Sequence, residues 1–185
     1  MIEKEDDAGS AVQVKSGFVS IVGRPNSGKS TLLNELVGTK VSIVTPSAQT
    51  TRNVVRGIVS DGRGQIIFLD TPGIHKPLYK MNERMMRLMR ESLDHMDVVM
   101  LMVDISTEAG RGEQFALDLV KKVRSRKFLL LNKIDKVKKH QLLPMIDKYR
   151  TRCDFDEIVP ISALKKDGVD ELKSTILKYL PVGPM

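Results

Sequence analysis

The chain has 185 residues, 41% hydrophobic and 29% charged, long enough to bury one domain's core and too apolar for a mostly disordered chain. Its longest apolar run, Val98 to Val103, is far too short to span a bilayer, and a single cysteine, Cys153, excludes an internal disulfide and a cysteine-built zinc site. The formal net charge of +7 favours anionic partners, and the opening MIEKEDDAGS is acidic without an apolar core, so it does not read as a secretion signal and the expected compartment is the cytoplasm.

Residues 1–16 read as a flexible polar tail. Gly17 to Gly23 is a short apolar run that stops in glycine, which predicts a buried strand. Lys29 to Val37 places Leu32, Leu33, Leu36 and Val37 at helical spacing, and residues 38–52 have no clean period and predict a long loop. Asn53 to Ser60 and Gln65 to Asp70, joined by Asp61-Gly62-Arg63-Gly64, predict a hairpin. A helix is expected near 80–95, a buried strand over Asp97 to Asp104, a helix over 111–124, and a strand over Lys127 to Leu131. A helix over about 139–150, a strand over Ile158 to Ile161 and a last helix over 168–179, capped by Asp167, complete the chain. Six strands alternating with amphipathic helices predict a three-layer α/β fold: a mostly parallel six-stranded sheet with one antiparallel strand and helices on both faces.

Gly23-Arg24-Pro25-Asn26-Ser27-Gly28-Lys29-Ser30 matches G-x-x-x-x-G-K-[ST], between a predicted strand and a predicted helix. Backbone N–H groups of such a loop close on phosphate oxygens, helped by the positive end of the helix that begins at Lys29-Ser30-Thr31. Lys29 is expected to reach the β and γ phosphates, and the Ser30 hydroxyl to ligate Mg²⁺. Asp70-Thr71-Pro72-Gly73 ends the strand IIFLD; Asp70 is placed to hold Mg²⁺ through water, and the Gly73 N–H to sense the γ-phosphate. In the long loop Gln49-Thr50-Thr51-Arg52, Thr51 is the candidate to complete the Mg²⁺ shell, with Thr50 nearly equal.

Asn132-Lys133-Ile134-Asp135 follows the strand KFLLL. A carboxylate at Asp135 can accept both N1–H and the exocyclic amine of guanine, whereas adenine would leave a buried Asp135 unpaired, a mismatch that rejects substrates by roughly 10⁴–10⁵. Asn132 is expected to brace the base and the phosphate loop, and the Lys133 stem to pack on the ring. In Ser162-Ala163-Leu164-Lys165, after the strand EIVPI, the Ala163 N–H is expected to donate to guanine O6.

Four such motifs in order, over about residues 17–180, resemble a translation-factor-type P-loop GTPase domain. GRPNSGKSTLLNELVG, the QTTR loop, FLDTPGIHKP and the ending YLPVGP resemble the Era GTPases, and the Der and tRNA-modification GTPases share the first three more loosely. The resemblance implies GTP and GDP as ligands, Mg²⁺ as cofactor, and a part in 16S rRNA processing and small-subunit assembly. It implies that Asn26 holds a K⁺ ion, whose charge would replace an arginine finger, while Asn26 as a mere loop-shaping residue is the alternative. Ile74 stands where many small GTPases carry the glutamine that orients water, so slow intrinsic turnover is expected. The expected organisation is a tail over 1–16, a G domain over 17–180 and the start of a linker over 181–185. The family's KH module is expected to be missing, since no Gly-x-x-Gly occurs.

Residues 121–152 hold twelve Lys or Arg against Asp135 and Asp147, which reads either as a solvated surface or as a patch for RNA phosphates. A monomer is expected, with peripheral contact at the inner face of the cell membrane left open. His75, His95, His140 and Cys153 read as bystanders. Met81, Met85, Met89 and Met96, with Leu88 and Leu93, read as a core face or, less simply, as a partner surface. Two rival functions remain: a nucleotide-gated binding module in which Ile74 marks lost catalysis, and a P-loop ATPase.

Overall fold

A computed structural model describes residues 14–38, 54–70 and 83–183. The first strand, β1 (Lys15–Val22), starts two residues earlier than its apolar run, because Lys15 and Ser16 already pair with Gly64 and Gln65. Helix α1 (Lys29–Val37) has the predicted bounds. Strands β2 (Val54–Asp61) and β3 (Gly64–Asp70) form the expected antiparallel hairpin; Asp61 pairs with Gly64 across a two-residue loop, and the register slips between Val55 and Gly57. Then follow α2 (Glu83–Leu93), β4 (Val98–Asp104), α3 (Arg111–Lys121), β5 (Arg126–Asn132), α4 (Leu142–Arg150), β6 (Glu157–Ile161) and α5 (Val169–Tyr179).

Among the described residues the sheet order is β2-β3-β1-β4-β5-β6, with β2 alone antiparallel. Helix α1 and α5 cover one face, where Val98, Met100 and Met102 of β4 and Phe128 and Leu130 of β5 point. The alternate residues Val99, Leu101, Val103, Leu129 and Leu131 point to the other face, under α2, α3 and α4. Both faces are thus covered, and this is why the central strands read as unbroken apolar runs rather than alternating ones. The expected three-layer mixed sheet is the observed architecture.

Several boundaries differ for local reasons. Helix α3 stops at Lys121, short of 124, because the Asp94 carboxylate accepts the Arg124 N–H at 2.7 Å and turns the chain into β5. The segment from 139 opens as a 3₁₀ turn over Lys139–Gln141, and Pro144 sits in the first turn of α4, where its missing N–H costs nothing. The cap of α5 is Gly168 rather than Asp167. Asp167 exchanges backbone hydrogen bonds with Ser162, 3.0 and 3.1 Å, and Gly168 turns the chain into the helix at φ +73°. On α2, Met89 and Leu93 are buried, with Met85 packed beside them and Met96 buried just beyond the helix, as a core face requires. Leu88, included in that stripe, is instead 41% exposed, because it lies off the i, i+4 line through Met85, Met89 and Leu93. Met81 lies outside the described residues.

Candidate functional site

The phosphate loop leaves β1 at Gly23, where a Cβ would stand 2.5 Å from the Met102 carbonyl of β4. It runs through Arg24, exposed Pro25 and Asn26, and buried Ser27 to Gly28, the N-cap of α1. Gly28 has φ +106°, and a Cβ there would stand 2.2 Å from Asn132 Nδ2, so only glycine fits. Among the described residues no side chain caps α1, and its first turn holds no acid, which leaves the N-terminal N–H groups and the helix dipole facing the loop. Lys29 folds back over the loop, its Nζ donating to the carbonyls of Gly23 at 2.8 Å and Arg24 at 2.7 Å. Ser30 and Thr31 are exposed beside it. A cleft of about 480 Å³ opens there, lined among others by Asn26, Lys29, Ser30, Asn34 and Arg56. A helix N-terminus, an ammonium group and a hydroxyl around one cleft form a donor set that fits a phosphate chain with its divalent ion.

The second wall comes from the ends of β5 and β6. Asn132 is buried and bridges three segments: its Nδ2 donates to the Ser27 carbonyl at 2.7 Å, and its Oδ1 accepts the Ala163 N–H at 3.0 Å. The expected brace is therefore present, and the Ala163 N–H, expected to meet a base, is given to Asn132 in this structure. Asp135, expected to be buried, is exposed on the 3₁₀ turn Ile134–Lys136, where a single turn of chain cannot cover it. One of its carboxylate oxygens accepts from the Ser162 hydroxyl at 2.6 Å, and Ser162 Oγ in turn accepts the Lys165 N–H at 3.2 Å. Leu164 stands 68% exposed at this rim.

Lys133 has φ +70° and reaches back to the phosphate loop, its Nζ donating to the Asn26 carbonyl at 3.0 Å and to Asp104 Oδ2 at 2.6 Å. Asp104 also accepts the Ser106 N–H at 3.0 Å and hydroxyl at 2.6 Å. Burial alone would raise its carboxyl, but these bonds and the Lys133 charge outweigh it and hold Asp104 below the ordinary carboxylate range. Arg24, expected at the nucleotide, turns its side chain toward the segment after β4. It donates to the Thr107 hydroxyl and to the carbonyls of Asp104 and Glu108, both 3.4 Å, and stands 3.9 Å from Glu113. The buried Glu113 carboxylate accepts from the Tyr149 hydroxyl and, with burial as the larger cause, keeps that phenol far above its usual range.

The structure thus brings together Gly23 to Thr31, Asn132 to Asp135 and Ser162 to Leu164 at one end of the sheet, where parallel strands leave their carboxyl ends. The backbone of Asp70 ends β3 there. Thr50, Thr51, Thr71, Pro72, Gly73, Ile74 and His75 lie outside the described residues. The sequence reading missed Asp104, Thr107, Glu113 and Tyr149. A signal for Asp104 was present: it ends a fully buried strand lying between the strands that carry the phosphate loop and the NKID turn.

Comparison with known proteins agrees with this geometry. Residues 18–133 match the family model described as 50S ribosome-binding GTPase. The GTPase Era of Staphylococcus haemolyticus is 48% identical over 170 residues, which is 92% of this chain and 57% of the relative. An Era variant of Aquifex aeolicus bound to GDP·AlF4⁻ superposes with a TM-score of 0.71 at 44% identity, over 92% of this chain and 59% of that one. Era in complex with MgGDPNP and nucleotides 1506–1542 of 16S ribosomal RNA gives a TM-score of 0.72 at 43% identity, over 93% and 59%. The chain therefore spans a little under three fifths of the length of these relatives. A family model covering most of the chain, together with such identity over nearly all of it, shows that the chain belongs to the 50S ribosome-binding GTPase family.

Proposed function

We propose that this chain binds GTP and GDP with Mg²⁺ and hydrolyses GTP to GDP and phosphate, as an Era-type switch acting on small-subunit ribosomal RNA. The observation that carries the reading is the Asn132 bridge, which ties a phosphate-binding loop to a carboxylate-bearing turn, so triphosphate and base are read by one connected unit. The Era structures named above hold GDP·AlF4⁻, MgGDPNP and 16S rRNA, which supports both the nucleotide and the partner.

Lys29 and the first-turn N–H groups of α1 hold phosphate oxygens, and Asp135 selects guanine through its two carboxylate oxygens, one of which also accepts from the Ser162 hydroxyl. Ser30 and, through water, Asp70 would hold Mg²⁺, which neutralises the charge gathering on the phosphates during transfer. Thr51 would complete that shell when the triphosphate is bound. Ile74 cannot orient a water, so unassisted turnover is slow. Asn26 would contribute to a K⁺ site, and the ion would supply positive charge beside the phosphates. The cytoplasm is the compartment where such a partner is met.

A competition assay tests the reading. Labelled GTP is displaced by GDP and not by ATP, and Asp135→Asn abolishes GTP binding while admitting xanthosine triphosphate. Displacement by ATP equal to that by GDP would refute guanine selection. Phosphate release in single turnover is faster in K⁺ than in Na⁺, and Asn26→Ala removes the difference. Equal rates in the two salts overturn the K⁺ assignment. An absence of release in either salt favours the nucleotide-gated module, to which Ile74 also points.

A further inference from the structure

Four side chains of alternating charge, ending on the neutral phenol of Tyr149, form a line from five segments behind the phosphate loop. Lys133, on the turn after β5, lies 2.6 Å from Asp104 Oδ2 at the end of β4. Arg24 of the loop lies 3.9 Å from the same Oδ2. Arg24 is 3.9 Å from Glu113 on α3, and Glu113 accepts from Tyr149 on α4. Asp104 and Glu113 are 6% and 3% exposed, so solvent screens these pairs weakly.

Two cations from different segments thus share one carboxylate oxygen. Lys133 and Arg24 otherwise repel, and among the described residues the Asn26 carbonyl is what anchors Lys133 at the loop. The Ser106 N–H and hydroxyl hold the other oxygen, so the Asp104 carboxylate cannot rotate to follow either cation. A lysine stem pinned at its tip presents its methylenes as a fixed apolar ledge, and a stem with a free tip does not. We propose that Asp104 is a positioning residue for nucleotide retention: it pins Lys133 against the phosphate loop, and so fixes the ledge on which the base packs.

The proposal rests on guanine-nucleotide binding at this site, and its test separates the two. Release of mant-GDP is followed by stopped flow in Mg²⁺ buffer for the 185-residue chain. Asp104→Asn keeps the shape and the bond from the Ser106 hydroxyl but removes the charge, and it is expected to speed release about tenfold or more, with association nearly unchanged. Single-turnover hydrolysis of pre-bound GTP is expected to move far less than release, which marks positioning rather than chemistry. In a Lys133→Met background, where there is no ammonium to pin, Asp104→Asn should add less than twofold. Ser106→Ala, which loosens Asp104 while keeping its charge, should speed release in the same direction by a smaller factor, and it serves if Asp104→Asn does not fold. Release unchanged in Asp104→Asn, or an equal factor with and without Lys133, overturns the proposal while leaving guanine binding intact. Loss of mant-GDP binding by the wild-type chain would instead overturn the underlying function.

Discussion

The hydroxyl of Ser27 is fully buried in the phosphate loop and has no hydrogen-bond partner among the described residues. A buried polar group without a partner costs free energy, and removing it costs only a little packing. Ser27→Ala is therefore expected to stabilise the chain by about 1 kcal/mol, read as a rise in the urea midpoint without a change in slope. A fall of that size would show that the hydroxyl is satisfied after all. At this scale the sequence was informative about residue type and less so about direction. The spacing of G-x-x-x-x-G-K-[ST] located Arg24 at the loop, but not that its guanidinium turns away to Thr107 and Glu113. Side-chain direction depends on which neighbours are within reach, and those come from the segment after β4 and from α3, more than eighty residues on.

At the scale of elements, the joint between β6 and α5 shows what a loop motif requires of its backbone. Gly168 begins α5 at φ +73°, and a Cβ there would lie 2.7 Å from the Pro160 carbonyl and 3.2 Å from Ile161 Cγ2. Gly168→Ala is expected to destabilise by about 2 kcal/mol, combining left-handed strain with the backbone contact. The same change should weaken guanine binding, because the Asp167 backbone pairs with Ser162, which holds Asp135. A thermal melt and a nucleotide titration of one variant measure both effects; a loss of stability with affinity unchanged would uncouple the helix cap from the base site. Element type was legible because strands buried on both faces and helices buried on one leave different patterns. Element ends were less legible. Asp167 looked like a cap by composition, and Gly168 is the cap because a left-handed turn was needed first.

For the whole molecule, the basic segment 121–152 is divided by β5, which carries the chain from one end of the sheet to the other over roughly 20 Å. Lys121, Lys122 and Arg124 lie before the strand, and Lys133, Lys136, Lys138 and Lys139 follow it beside the nucleotide loops. The twelve cations therefore do not form one continuous patch, and their run in sequence overstates their density in space. Joining the loops into one cradle has a global consequence. GDP at about a hundredfold over its dissociation constant should stabilise the native state by about 2.7 kcal/mol, and so raise the melting temperature by about 5–10 °C in Mg²⁺. ATP at the same concentration should leave it unchanged, and so should GDP added to Asp135→Asn. An equal shift with both nucleotides would mean that the phosphates alone are read.

By itself the sequence determined the layered α/β class, the order of strands and helices, and the loops that meet a nucleotide. Those depend on short-range patterns: apolar runs, helical spacing, and fixed residues within eight positions of one another. Only the tertiary structure decided which partners each loop residue takes. Asn132 meets Ser27 across more than a hundred residues of chain, and Asp104 meets both Lys133 and Arg24. Such contacts are set by the order β1-β4-β5 in the sheet, which places the ends of three strands side by side. No local pattern encodes that adjacency, because burial of both sheet faces together selects it.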